Sequence, residues 1–505
     1  MEAALPRILN YIDGRETPPH GAAFLDVYEP ATGARYALCA DSTRADVDAA
    51  VDAAQRALPA WSALPAGQRA ALLNGIADGI AARSDEFAAA ESRDSGKPLA
   101  LARSLDIPRA IANLRFFAAA ITQFGSEAHA MNAEGHSNDA LNYTLRQPLG
   151  VVACISPWNL PLYLFTWKIA PALATGNTVV AKPSEVTPLT ASLFAQACID
   201  AGLPSGVLNI VQGSGGSTGQ ALIEHAGIRA ISFTGSTRTG AAIAASAAPK
   251  FKKLSLELGG KNPTLVFADW EASEANWNTL VRSAFANQGQ ICLCGSRLLV
   301  QRSIYAEFRD RFVERVRKLR VGDPNDASSD LGAVVSRAHF DKVIGHIALA
   351  REEGGTILCG GNAVEVPGRC AGGWFIAPTV IEGLSAQCRT NQEEIFGPVV
   401  SLVPCESFEH AIEIANGVTY GLSSSIYTRD VNKAFRAMRD LDAGITYVNA
   451  PTIGAEVHLP FGGTKSTGNG HREGGLGAID FYTQWKSIYI DYSDKLQRAQ
   501  IDTGE

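Results

Sequence analysis

The stretch TVVAKPSEVTPLTASLFAQACIDAGLPSGVLNIVQGSGGSTGQALIEHAGIRAISFTGS, residues 178–236, decides the fold. TVVAK is a short apolar run that ends in a polar turn. TASLFAQACIDAG has helical spacing and a glycine stop, and VLNIVQG is a second short run. GGSTGQALIEH reads as a further helix and AISFTGS as a third strand. Strands alternating with helices in this way build a doubly wound parallel α/β sheet. Such sheets bind ligands beyond the carboxyl ends of their strands.

Working outward, residues 45–95 and 107–124 carry apolar side chains at helical spacing. LNYTLRQPLGVVACIS, from Leu141, sets β-branched and aromatic runs on either side of Gln147-Pro148-Leu149-Gly150, which predicts paired strands. Residues 296–449 alternate again and predict a second α/β lobe. Gln147 to Trp167 holds no charged residue and is long enough to span a bilayer. Pro148, Pro157 and Pro161 break it, so a buried strand, a loop and a helix start are expected instead. The end of the chain, LQRAQIDTGE, is polar.

At about 150 residues per domain, 505 residues suggest roughly three units. Hydrophobic residues make up 46% and charged residues 19%, which excludes a disordered or fibrous chain. The net charge of −7 gives no electrostatic reason to bind nucleic acid or an anionic membrane. The nine cysteines are odd in number and contain no Cys-x-x-Cys, which points to reduced thiols. No His-Glu-x-x-His occurs, so no metal site is expected. The N-terminus lacks a basic start followed by an apolar run, and a cytoplasmic protein is expected.

Several residues could do chemistry. Gly235 and Ser236, in FTGSTRTG, stand where a strand gives way to a helix. Such a turn suits a phosphate, or is simply an αβ turn. Cys292, in NQGQIC, is either a nucleophile or a small buried hydrophobe. Glu257 ends the strand-like KKLSLEL and could be a general base or an ion-pair partner of Lys261. Asn159 sits in the proline-bracketed loop PWNLP, as an oxyanion donor or a loop cap. Lys182 and Glu185 could hold ribose hydroxyls or form a solvated turn.

The ordered series PWNLPL, AKPSE, FTGSTRTG, LELGGKNP, NQGQIC, EEIFGPV and PFGGTKSTG resembles the NAD(P)-dependent aldehyde dehydrogenase superfamily. The likeness runs from IDGRE, near residue 12, to YTQWKSIYID. It implies two doubly wound lobes, for cofactor and catalysis, and a small β oligomerisation flap. The implied division is 1–124 and 149–258 for the NAD-binding domain, 259–475 for the catalytic domain, 125–148 and 476–495 for the flap, and 496–505 for a polar tail. It also implies a homodimer or homotetramer acting on a small-molecule aldehyde.

By the same resemblance Cys292 is the nucleophile, Asn159 the oxyanion amide and Glu257 the base that activates water. Lys182 and Glu185 contact the adenosine ribose, Gly235 and Ser236 the diphosphate, Glu394, with Phe396 beside it, the nicotinamide ribose, and Trp158 is a further cofactor-binding residue. Glu185 favours NAD, because a carboxylate repels a 2′-phosphate. The blocks around DIPRAIANLRFFA and NYTLRQPLGVV resemble the 2-aminomuconic and 2-hydroxymuconic semialdehyde dehydrogenases. That likeness makes Arg109 a candidate for the substrate carboxylate, with Trp167, Leu164 and Phe461 as apolar walls. The branch carries a second arginine shortly before its LPFGG. Here Pro451–His458 has none, and this loop is more like aminoadipic or ketoglutaric semialdehyde dehydrogenases.

Overall fold

The computed structural model describes residues 5–131 and 140–492. Residues 132–139 of the expected flap and the expected polar tail, 496–505, lie outside the described residues.

The first sheet has seven strands: β1 (Asn10–Ile12), β2 (Arg15–Thr17), β3 (Val151–Ile155), β4 (Thr178–Lys182), β5 (Leu208–Ile210), β6 (Ala230–Thr234) and β7 (Lys253–Glu257). Their order is β7-β6-β3-β4-β5-β1-β2. The first five run parallel, and β1 and β2 continue the sheet antiparallel to β5 and to each other. The alternation of side chains explains the double winding. Val152, Cys154, Val179 and Ala181 pack under helices 66–82, 107–122, 161–174 and 189–200. Val151, Ala153, Val180, Ile231 and Phe233 pack on the other face, against helices 44–63 and 237–247. Apolar residues on both faces are what a parallel strand buried on both sides requires.

Strand order reverses between β3 and β6. The loop with Asn159 follows β3, and the turn Gly235-Ser236 follows β6. Both therefore open into the crevice at the carboxyl ends of the strands.

The second sheet comprises β8 (Asn262–Val266), β9 (Gly295–Gln301), β10 (Thr356–Cys359), β11 (Thr379–Glu382), β12 (Val399–Cys405), β13 (Ser423–Tyr427) and β14 (Ile445–Val448). The order is β10-β11-β12-β9-β8-β13-β14, parallel except at the edge strand β10. Only Leu258-Gly259-Gly260-Lys261 separates β7 from β8. The carboxyl end of one sheet thus faces the amino end of the other, and the site forms between them.

A third sheet is antiparallel, with Ala140–Pro148 between Ala128–Met131 and Thr483–Asp491. This corrects the expectation of paired strands around Gln147–Gly150. Ala140–Pro148 pairs with Thr483–Asp491, whereas Val151–Ile155 joins the first sheet. Gly150, with φ of +126°, turns the chain out of one sheet and into the other. No helix of the described residues is long and apolar enough to cross a membrane.

Candidate active site

Cys292 stands on a strained turn. Helix Glu274–Phe285 ends in Asn287, Gln288 and Gly289, which have successive φ values of +53°, +56° and +70°. For the two non-glycine residues this left-handed conformation costs on the order of 1 kcal/mol each. Side-chain amides hold it. Asn287 Nδ2 donates to the Asn159 carbonyl at 3.0 Å and Gln288 Nε2 to the Ala333 carbonyl at 2.8 Å. Gln290 Oε1 accepts from the Val335 N–H at 3.0 Å. Asn262, the first residue of β8, donates to the carbonyls of Cys292 at 2.7 Å and Cys294 at 2.9 Å. The sulfur is thereby placed between an apolar cavity and a smaller one lined by Glu394 and Phe396.

The thiol is pushed far above its usual range, first by burial, then by the Glu394 and Glu257 charges. The sulfur therefore stays protonated until a base takes its proton. The Cys292 N–H faces its own sulfur. Asn159, 3% exposed, donates one amide hydrogen to the Gln290 carbonyl at 2.9 Å, two residues before the sulfur. Beneath it, buried Lys97 bonds Asp106 at 2.8 Å and the Asn159 carbonyl at 3.1 Å. These bonds pre-position Asn159 as a donor. Asn159→Ala is expected to lower kcat by about 10²–10³. A variant of unchanged Tm and unchanged kcat would remove Asn159 from the oxyanion role.

Glu257, the last residue of β7, is 2% exposed, and neither carboxylate oxygen has a hydrogen-bond partner. Burial pushes its pKa well above the ordinary range, the Glu473 charge adds to this, and Lys168 and Arg472 act the other way. It does not pair with Lys261. An unpartnered buried carboxyl facing a nucleophile is suited to take protons. Glu473 accepts from Lys168 and, at 2.7 Å, from the Ser232 hydroxyl. Sequence reasoning missed this buried pair. Lys168 and Glu473 are 305 residues apart, and no local pattern links them.

Of the residues expected at the cofactor, Trp158, Lys182, Glu185, Gly235 and Ser236 stand at or follow the carboxyl ends of first-sheet strands, and Glu394 and Phe396 precede β12 of the second sheet. Lys182 Nζ is 3.3 Å from Glu185, at the end of β4. Ser236 caps helix Thr237–Ala247 by accepting the Thr239 N–H at 3.2 Å, which leaves the helix start open to a diphosphate. Glu394 accepts the Gly260 N–H at 2.8 Å. A Cβ on Gly259 would lie 2.5 Å from Glu394 Oε2, so a side chain there would push this carboxylate aside. Trp158 packs edge-on against Phe396, ring centres 5.2 Å apart, and against His339, 5.0 Å away. His339 contacts the Phe396 carbonyl at 2.7 Å, and burial lowers its pKa to about 4, so it is a neutral brace. His339 carried no motif that would have pointed to it.

The apolar cavity has a volume of about 240 Å³. Tyr163, Leu164 and Trp167 line it from one face of helix Pro161–Ala174, as their helical spacing dictates. Phe461 lines it as well and packs edge-on against Trp167, ring centres 5.7 Å apart. Arg109 lines the wall, but its guanidinium is engaged. It makes two bonds to Glu456, of 2.8 Å and 2.9 Å. Among the described residues no cluster of side chains could hold a metal ion.

A buried thiol, an unpartnered carboxyl and a fixed amide thus meet at the crevice of a doubly wound sheet. Residues 17–488 match the aldehyde dehydrogenase family, and the chain belongs to it. It is 47% identical to 2-aminomuconic semialdehyde dehydrogenase of Danio rerio, over 96% of this chain and 98% of that one. It is 44% identical to a 2-hydroxymuconic semialdehyde dehydrogenase of Pseudomonas sp., over 93% and 96% of the two chains. The crystal structure of PnpE from Pseudomonas sp. WBC-3 superposes with a TM-score of 0.93 at 39% identity, covering 98% of this chain and 99% of that one. PnpE in complex with nicotinamide adenine dinucleotide superposes with the same TM-score, at 40% identity over 97% and 98% of the chains.

Proposed function

We propose that this NAD-dependent aldehyde dehydrogenase oxidises a carboxylated semialdehyde of the 2-aminomuconic or 2-hydroxymuconic type to the corresponding acid. The observation that carries this reading is that two arginines, Arg109 and Arg282, line a largely apolar cavity that also takes in Cys292. The semialdehyde dehydrogenase names among its relatives support it.

In this reading the Cys292 sulfur adds to the aldehyde carbon, and its proton passes to the Glu257 carboxylate. The resulting alkoxide is held by the Asn159 amide and the Cys292 N–H, each contributing about 3 kcal/mol. Bound NAD accepts the hydride that leaves the carbon. Lys182, Glu185, Ser236 and Glu394 bind and orient it, and the Trp158–Phe396 pair walls its nicotinamide end. A thioester to Cys292 remains. Glu257 passes that proton on to solvent, then takes a proton from water as the oxygen adds to the thioester carbon; when the C–S bond breaks, the departing sulfur takes the proton back and the acid is free. Trp167, Leu164 and Phe461 keep the aldehyde side dry.

The test is a panel of kcat/KM values over 2-aminomuconic, 2-hydroxymuconic and ketoglutaric semialdehydes and neutral aldehydes. The muconic compounds are expected to be preferred by at least about tenfold, the scale of one charge-assisted contact. Equal efficiency with neutral aldehydes would overturn the reading.

We read residues 1–124 and 149–258 as the cofactor domain, 259–475 as the catalytic domain, and 125–148 with 476–495 as the flap. The protein is read as a cytoplasmic homodimer or homotetramer. Nine free thiols fit a reducing compartment. Trp485, Ile490, Leu141 and Leu145 are exposed on the third sheet, an apolar surface suited to a covering copy. A mass measurement in solution checks the assembly.

A further inference from the structure

We propose that Arg282 holds the far carboxylate of the substrate, the place that the resemblance gave to Arg109. The assignment rests on the reading of the substrate as a carboxylated semialdehyde.

The guanidinium of Arg109 presents its paired N–H groups to both oxygens of Glu456. That is the geometry a substrate carboxylate would adopt, so the chain already supplies the anion. Glu456 comes from the loop Pro451–His458, in which no arginine stands. A second carboxylate could reach Arg109 only by expelling Glu456 or by sharing one cation between two anions. Arg109 and Glu456 are 27% and 45% exposed, so the pair is partly screened and contributes little to stability. Electrostatically, however, it leaves almost no free positive charge at that wall.

Arg282 has no such competitor. It lines the same cavity as Cys292, and among the described residues it pairs with no carboxylate. Asp330, which lines an adjoining cavity with Arg282, is engaged by the Arg320 N–H at 2.8 Å. A cation in the last turn of a helix also complements the helix dipole. That role does not require the cavity, yet Thr279, one turn earlier, opens onto it as well. Helix Glu274–Phe285 is fixed in the core by Trp277, Leu280 and Phe285, and its end runs directly into the turn that carries Cys292. The guanidinium and the sulfur are thus set on one rigid piece of chain, ten residues apart.

Arg282→Gln, Arg109→Gln and Glu456→Gln would be compared on a carboxylated semialdehyde and on a neutral aldehyde of equal chain length. Arg282→Gln is expected to raise KM for the carboxylated substrate by about 10–100-fold with little change in kcat. Its effect on the neutral aldehyde should be at most a few-fold, and Arg282→Lys should recover part of the loss. Glu456→Gln, which frees Arg109, should lower KM for the carboxylated substrate. A large KM effect from Arg109→Gln with none from Arg282→Gln would overturn the assignment. Wild-type enzyme that did not distinguish the two substrates would remove the substrate class itself. Discrimination that survives Arg282→Gln would sink the role of Arg282 alone. Arg282 is on the surface, so the variant is expected to fold.

Discussion

Replacing Cys292 by alanine is expected to abolish NADH formation with every aldehyde, a loss of at least about 10⁴ in kcat. The size follows from the order of events. A hydride cannot leave a planar aldehyde carbon with profit, because its departure would leave an acylium. Addition of sulfur makes an alkoxide whose collapse expels the hydride and forms a thioester. Without the sulfur, the Asn159 amide and the Cys292 position's N–H still polarise a carbonyl, but there is no adduct to collapse. Cys294, two residues on, does not substitute. It is buried, and its Sγ is turned to the Ala286 carbonyl, 3.8 Å away. The cofactor residues lie on other elements, so the variant should still bind NAD, measured by quenching of protein fluorescence. Retained turnover in the alanine variant would make Cys292 a packing residue and remove the mechanism.

The dinucleotide crevice was legible because its signals are local. A strand and the turn after it are neighbours in sequence, so AKPSE at β4 and FTGS at β6 could be placed without knowing what they pack against. The reversal between β3 and β6 then brings Asn159 and Ser236 to one crevice. What local pattern cannot give is a partner. LNYTLRQPLGVVACIS alternates like two adjacent strands, but Ala140–Pro148 finds Thr483–Asp491 instead. The pairing of Arg109 with Glu456 spans 347 residues. Arg109 was legible through resemblance to a family, whereas its counter-ion depends on a loop in which this chain departs from the muconic branch. Arg282 carries no motif, because a cation near the end of an amphipathic helix is common for reasons of the helix dipole alone. Only the position of the cavity distinguishes it. The turn at Asn287–Gly289 was visible as a run of amides before a thiol. Its left-handed backbone was not, because asparagine and glutamine do not demand it as successive glycines would.

Glu257→Gln is expected to separate the two halves of the reaction. With excess enzyme-bound NAD, the variant should release a burst of about one NADH per site and then stall as the thioester. The burst survives if another base, such as hydroxide at raised pH, can take the thiol proton once. Deacylation has no such substitute in a dry cavity, because water must lose a proton as it adds to the carbon. The pH dependence follows from burial. The Glu257 carboxyl is held protonated well above the ordinary range, chiefly by desolvation and then by the Glu473 charge, with Lys168 and Arg472 opposing. Steady turnover of the wild type should therefore rise with pH as this carboxyl ionises, and the variant should lack that limb. The stability change has the opposite sign. A carboxyl whose folded pKa is raised favours the protonated fold. That contribution is complete below the unfolded pKa and is lost as pH rises through the folded one. Glutamine never ionises, so the variant should match the wild type in mildly acidic buffer and exceed it in Tm at alkaline pH. A more stable enzyme that stalls after one turnover is the signature of a base kept buried for function. Unchanged steady turnover would take Glu257 out of that role. A Tm that fell at alkaline pH would mean that the carboxylate is satisfied in the fold.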